Sequence, residues 1–169
     1  CIPYAVQFRP DRVTPKPAVQ GPQTAIVVGT SSDTAGTVRT DNYGRVKVRF
    51  AWDRVSYSSP DAASCWVRVS QAWAGGRWGH FFVPRVGDEV IVDFLEGDPD
   101  RPIITGRVHH MSNMPPLLGN GGAADVPATT ALSGIKTRST PNGTADNYNE
   151  LSFDDTKGSE KVLLHAEKD

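Results

Sequence analysis

The feature that most limits the fold is a series of short two-residue alternations with no helical period between them. Val46, Val48 and Phe50 alternate with Arg45, Lys47 and Arg49, which is the period of a strand with one buried face. Val90, Val92 and Phe94 alternate in the same way with Glu89, Ile91 and Asp93. Further β-branched and aromatic runs stand at Ala25 to Gly29, Cys65 to Val69, His80 to Val83 and Arg101 to His109, each bounded by turn-forming residues. The Asp41-Asn42-Tyr43-Gly44 stretch predicts a hairpin that joins TVRT to RVKVRF, and AWAGGRWG is expected to break the strand pattern. Five or six short strands in about ninety residues imply an all-β fold, a small closed or nearly closed barrel of OB type or else a sandwich.

Proline and glycine divide the rest. Phe8 to Pro22 carries four prolines, which fix an extended path and remove backbone donors, so residues 1–20 are expected to be a connector and 21–110 the barrel. From Met111 to Pro127 the composition shifts to Pro, Gly, Asn and small residues, which predicts a linker over 111–134. In the tail, 135–169, alternation returns in Glu150-Leu151-Ser152-Phe153 and in Lys161 to His165, around a turn at Asp154 to Gly158. Two strands and a turn cannot make a core. They need a continuation of the chain or copies of themselves.

Several function classes lose support from composition. The net charge of the 169 residues is -1, and residues 21–110 hold ten Lys/Arg against ten Asp/Glu, so the basic footprint of a nucleic-acid or membrane-surface binder is missing. No apolar run approaches the roughly 20 residues that cross a bilayer, and no signal-peptide pattern opens the chain. Cys1 and Cys65 make no disulfide framework, and Cys65 reads as a small core residue. The chain opens on Cys1 and closes on HAEKD in mid-pattern, as expected of a piece of something longer.

The densest chemistry is the acidic stretch VGDEVIVDFLEGDPDRPIITGR, Val86 to Arg107. Glu89 and Asp93 share a strand face but lie roughly 13 Å apart along it, too far to chelate one ion together. Asp98 and Asp100 flank Pro99, and with Glu96 they offer oxygen ligands for a hard cation or for a carboxylate-dependent hydrolase. The structural reading covers every residue: Gly97 permits positive φ, Pro99 presets its own φ, Asp98 and Asp100 bond neighbouring amides, and Arg101 compensates charge. The segment is therefore expected to be a structural turn, with no catalytic residues, cofactor or metal. His109 and His110 are adjacent and face opposite ways, and Ser64 and Ser70 lack a nucleophile-elbow pattern. Trp66, Trp73, Trp78, Phe81 and Phe82, with Arg68, Arg77 and Arg85, define the rival reading: an OB-type platform that stacks single-stranded nucleic acid. Charge balance argues against that rival and assigns these aromatics to core and interface packing.

The ordered series GPQTAIVVG, DNYGRVKVRFAWDR, SCWVRVSQAWAG, WGHFFVPRVGDEVIVDFLEGDPDRPIITGRV and NYNELSFDDTKGSEKVLLHAEKD resembles the VgrG family of type VI secretion, related to the puncturing spike of contractile phage tails. The resemblance implies an OB-fold barrel, reached from a larger N-terminal base domain through FRPDRVTPKP, and followed by the start of a trimeric β-helical needle. It implies a non-enzymatic homotrimer in which Leu151, Phe153, Val162 and Leu164 pack between chains. It implies as partners an inner-tube protein, an effector or tip protein beyond the needle, and a target membrane pierced mechanically, with assembly in the bacterial cytoplasm before secretion. The phage relative carries a lysozyme domain between barrel and needle. Here 111–134 leave room only for a linker, so peptidoglycan cleavage is not implied.

Overall fold

The computed structural model describes residues 3–119 and 130–168. Ten strands follow in chain order: β1 (Gln23–Val28), β2 (Lys47–Phe50), β3 (Arg68–Val69), β4 (Ala74–Gly75), β5 (Trp78–Gly79), β6 (Glu89–Phe94), β7 (Pro102–Val108), β8 (Leu132–Lys136), β9 (Glu150–Asp154) and β10 (Lys161–His165). The only helical turns among the described residues are two short 3-10 segments, Pro60–Ala63 and Leu95–Gly97.

Five strands form one sheet in the order β2-β1-β6-β7-β3, antiparallel except for the β3–β7 pair. The sheet curls until its two edges meet: Val46, beside β2, and Val67, beside β3, exchange amide bonds of 3.0 and 2.8 Å. Curling brings the inward residues of every strand onto one axis, where Ala25, Val27, Val46, Val48, Val67, Val90, Val92 and Ile104 are almost fully buried, with Phe94 at the rim. A barrel of this size has room for β-branched side chains and little else. The alternations read at Val46 to Phe50 and at Val90 to Phe94 therefore point the right residues inward.

Four local expectations are corrected. TVRT is not a strand: β1 occupies one side of β2, the Val46–Val67 bridge occupies the other, and Thr40 Oγ1 instead donates to Arg45 O at 2.9 Å. His80 to Val83 runs without a ladder, because Phe82 N donates to the Gln71 side chain at 3.1 Å and Phe82 O accepts from Arg107. AWAGGRWG does not merely break the pattern. It is the β4–β5 hairpin, turned by Arg77 at φ 71°. Cys65 is exposed, since regular pairing begins only at Val67 and the alternation does not reach back to it.

The tail holds three strands where the sequence showed two. They pair antiparallel in the order β10-β9-β8, with β8 lying across the expected 134/135 boundary. Gly134 allows the close approach, because a Cβ there would meet Ser152 Cα at 2.7 Å. The small sheet docks on the barrel where Arg85 Nη2 donates to Arg138 O at 2.8 Å.

Candidate interaction site

The three-stranded sheet has its polarity inverted. Register places Ile135, Leu151 and Leu164 in one cross-strand row and Ser133, Phe153 and Val162 in the next, all on one face. The apolar side chains of that face are exposed: Ile135 50 %, Leu151 39 %, Phe153 41 %, Val162 67 % and Leu164 81 %. Between them, Glu150 and Ser152 point the other way and are 2 % and 3 % exposed. Full burial of such aliphatic and aromatic side chains is worth roughly 1.5–3 kcal/mol each. In a single chain part of that stabilisation is forgone, and five adjacent apolar side chains in contact with water mark a surface that takes a partner.

Glu150 is what the opposite face is built around. Its Oε1 accepts the Gly119 amide at 2.7 Å, while Oε2 is buried without a partner. Lys136, opposite Glu150 in the ladder, donates to Leu117 O at 2.9 Å and lies 3.6 Å from the centre of the Tyr148 ring. His165 packs against Tyr148 at 4.7 Å. These contacts tie the stretch before residue 120 to the sheet and leave the apolar face free. Ile135 and Glu150 were not singled out from the sequence. LSGIK spaces its two large apolar residues three apart, which fits neither one strand face nor a helix clearly.

The acidic turn lies at the far end of the β6–β7 hairpin. Gly97 has φ 70°, and so does its neighbour Glu96 adopt positive φ, at 58°. Asp98 Oδ1 accepts the Asp100 amide across Pro99 at 3.0 Å, and Arg101 pairs with Glu96 at 3.1 Å. Lys16, from the connector, reaches Asp98 at 2.7 Å and Asp100 at 3.5 Å, and Val19 N donates to Gly97 O at 2.8 Å. The Lys16 hydrogen bond and the Asp100 amide hold the Asp98 carboxyl below the usual range. The turn thus clamps the connector, an attachment invisible along the sequence because it joins residues 82 apart.

The remaining candidates stay apart. Among the described residues no three His, Cys, Asp or Glu side chains gather to hold a metal. Asp93 Oδ1 accepts the amide of Phe94 at 2.8 Å. Ser64 Oγ accepts the Val48 amide at 2.9 Å and donates to Cys65 O at 2.8 Å, which occupies the hydroxyl. Ser70 is exposed, and its amide donates to Ile104 O. His109 Nδ1 lies 3.2 Å from Asn113 O, and the backbone of His110 bridges to Asn113.

The aromatics are not core. Trp73, Trp78, Phe81 and Phe82 are exposed and Trp66 is half-buried under Lys47 at 5.2 Å, while the barrel's buried cluster is mainly valine, with Phe94 as its aromatic ring. Trp73 and Trp78 meet edge to face at 5.1 Å on the β4–β5 hairpin.

Comparison with known proteins joins the two halves. Residues 23–109 match the family model of the type VI secretion system/phage-baseplate injector OB domain, and residues 133–169 that of the bacteriophage T4 gp5 C-terminal trimerisation domain. The chain is 51 % identical over 168 residues to the type VI secretion system spike protein VgrG1b of Pseudomonas aeruginosa, covering 99 % of this chain and 21 % of that protein. It is 48 % identical over 171 residues to the spike protein VgrG3 of Vibrio cholerae, covering 99 % of this chain and 15 % of that one. It is 46 % identical over 155 residues to the Vibrio cholerae actin cross-linking toxin VgrG1, covering 92 % of this chain and 13 % of that one. The chain therefore spans about a fifth or less of these relatives' length. Their names give the single-strand nucleic-acid reading no support. Fold, register and kinship agree, and the chain belongs to the VgrG family, whose injector OB domain it carries.

Proposed function

We propose that this segment is the hub of a type VI secretion spike: a barrel that connects a base to a needle, with its C-terminal sheet as the needle's first turn in a homotrimer. The observation that carries the reading is the inverted sheet, apolar residues outward and Glu150 and Ser152 inward, because such a face becomes a core only between chains. The match of residues 133–169 to a trimerisation domain supports the same assembly.

The work is mechanical. Three sheets packed through Ile135, Leu151, Phe153, Val162 and Leu164 make a stiff shaft with few open edges, suited to transmitting an axial push. An inner-tube protein behind the base, an effector or tip protein beyond the needle and a target membrane are the partners of this reading, with cytoplasmic assembly before secretion. The barrel–sheet segment itself performs no catalysis. Activity of the kind named for the actin cross-linking relative is assigned to the parts of that protein outside this segment.

Sedimentation velocity over a concentration series tests the proposal. A mass that rises with concentration to three chains, and no further, is expected. A chain that stays monomeric, or that stops at a dimer, overturns it.

A further inference from the structure

A groove of about 380 Å³ runs between the barrel and the tail sheet, where Phe81, Phe82 and Val38 face Ile135. Its polar lining is cationic: Arg85, Arg107, Lys136 and Arg138 against one carboxylate, Asp88. Each cation is held by backbone carbonyls: Arg107 by Phe82 O, Arg85 by Arg138 O, Arg138 by Gly143 O at 2.6 Å and Lys136 by Leu117 O. None takes part in an ion pair among the described residues. Half-burial pushes the Arg107 guanidinium below its usual value, with Asp88 opposing. A concentration of positive charge in a chain of net charge -1 calls for an external carboxylate.

The same sheet carries acids at its other end. Ile135 and Lys136 stand at the groove end of β8, while Leu132 pairs with Asp154 at the far end and the Asp155 amide donates to Ala131 O at 3.0 Å. Asp154 is paired with Lys161 at 3.7 Å, but Asp155 is exposed and has no ion pair among the described residues. Phe153, exposed on the apolar face, sits two residues away. One sheet thus ends in unpaired cations beside apolar side chains and, at the opposite end, in an unpaired carboxylate beside an aromatic ring.

From this polarity we infer that the groove is the receptor of a head-to-tail contact between copies, taking the Phe153-Asp154-Asp155 corner of the neighbouring chain, with Asp155 facing Arg107 and Arg138. Unlike patches that meet in this way close into a ring when the rotation between copies is one third of a turn. Ile135 makes the contact continuous with the apolar face, and the charges fix register and reject the reversed order. The inference rests on the trimer reading and adds to it where on the barrel each neighbour lands.

The test is a charge exchange read by sedimentation on the full 169-residue chain. Asp155→Arg lies on an exposed turn and is expected to weaken association about tenfold or more, as loss and reversal of a close interfacial pair does. Adding Arg107→Glu to it is expected to recover most of that loss. Arg138→Glu, at an exposed position, replaces Arg107→Glu if circular dichroism shows that the half-buried substitution unfolds the barrel. A wild-type trimer indifferent to Asp155→Arg, or equally weakened with no recovery by either exchange, overturns the contact and leaves the trimer standing. A wild-type chain that never associates overturns both.

Discussion

Leu151 lies directly opposite Leu164 in the β9–β10 ladder, and both side chains face water. A cross-strand leucine pair stabilises a sheet by a few tenths to about 1 kcal/mol through mutual contact, much less than its transfer out of water would. The pair is therefore an apolar surface that its own chain leaves uncovered.

Substitution on that face separates association from folding. Leu164→Asp and Phe153→Asp are expected to leave the barrel's thermal transition in place, because neither side chain is buried in the single chain. Both are expected to abolish self-association, since a charge at the centre of an apolar interface is left desolvated and unpaired. Light scattering at matched concentrations checks this, and a trimer that survives both changes contradicts the assigned face.

Glu150 behaves in the opposite manner. Glu150→Ala removes the acceptor of the part-buried Gly119 amide, and a donor left unsatisfied when fully buried costs about 1–3 kcal/mol, which sets the upper limit here. Glu150→Gln keeps an acceptor at that position and is expected to cost less. Urea titration of the two variants, followed by a probe in the tail, gives the order. Equal midpoints for wild type and Glu150→Ala would show that the contact contributes nothing.

In the barrel, Ile104 is 1 % exposed at the centre of the valine cluster. Ile104→Ala is expected to lower stability by about 2–5 kcal/mol, the range for truncating a large aliphatic in a close-packed core. Denaturant unfolding of the barrel measures it directly.

The connector clamp sets a pH window. The Asp98 carboxyl is lowered by the Lys16 hydrogen bond first and then by the Asp100 amide, so its contribution is present above the unfolded carboxylate value and disappears as pH falls through the folded one. Lys16 is raised, chiefly by its hydrogen bond to Asp98, so its contribution is full below the unfolded lysine value and disappears as pH rises through the folded one. The clamp is expected to be at full strength from about pH 4 to about pH 10, to weaken beyond those limits, and to open once pH has passed the folded-state values. Proteolysis after Lys16, or amide exchange at Val19, reports the opening. Asp98→Asn is expected to flatten the acid limb, and an acid limb that is the same in wild type and Asp98→Asn would refute the clamp.

Asp98→Ala is expected to change stability only modestly and to remove no metal-dependent property, because Lys16 and Arg101 already pair with the carboxylates of that turn. Calorimetry with calcium or magnesium chloride checks this. Measurable heat that Asp98→Ala abolishes would reassign the turn as a cation site.

Local pattern was sufficient wherever one face of one strand met the core. The valines of β2 and β6 are legible because alternation depends only on backbone geometry and the exclusion of water. The order of the ordered motifs carried the family, and the incompleteness of the tail followed from its having too little apolar surface for a core of its own. Long-range pairing decided the rest. Whether TVRT forms a ladder depends on what already flanks β2, and whether Trp73 is core depends on the width of a barrel that the local sequence does not encode. The Lys16–Asp98 clamp, the third strand with Ile135 in its apolar row, and the buried Glu150 likewise exist only once distant segments share a surface. Periodicity shows which way a side chain turns, and tertiary structure alone sets what it meets there.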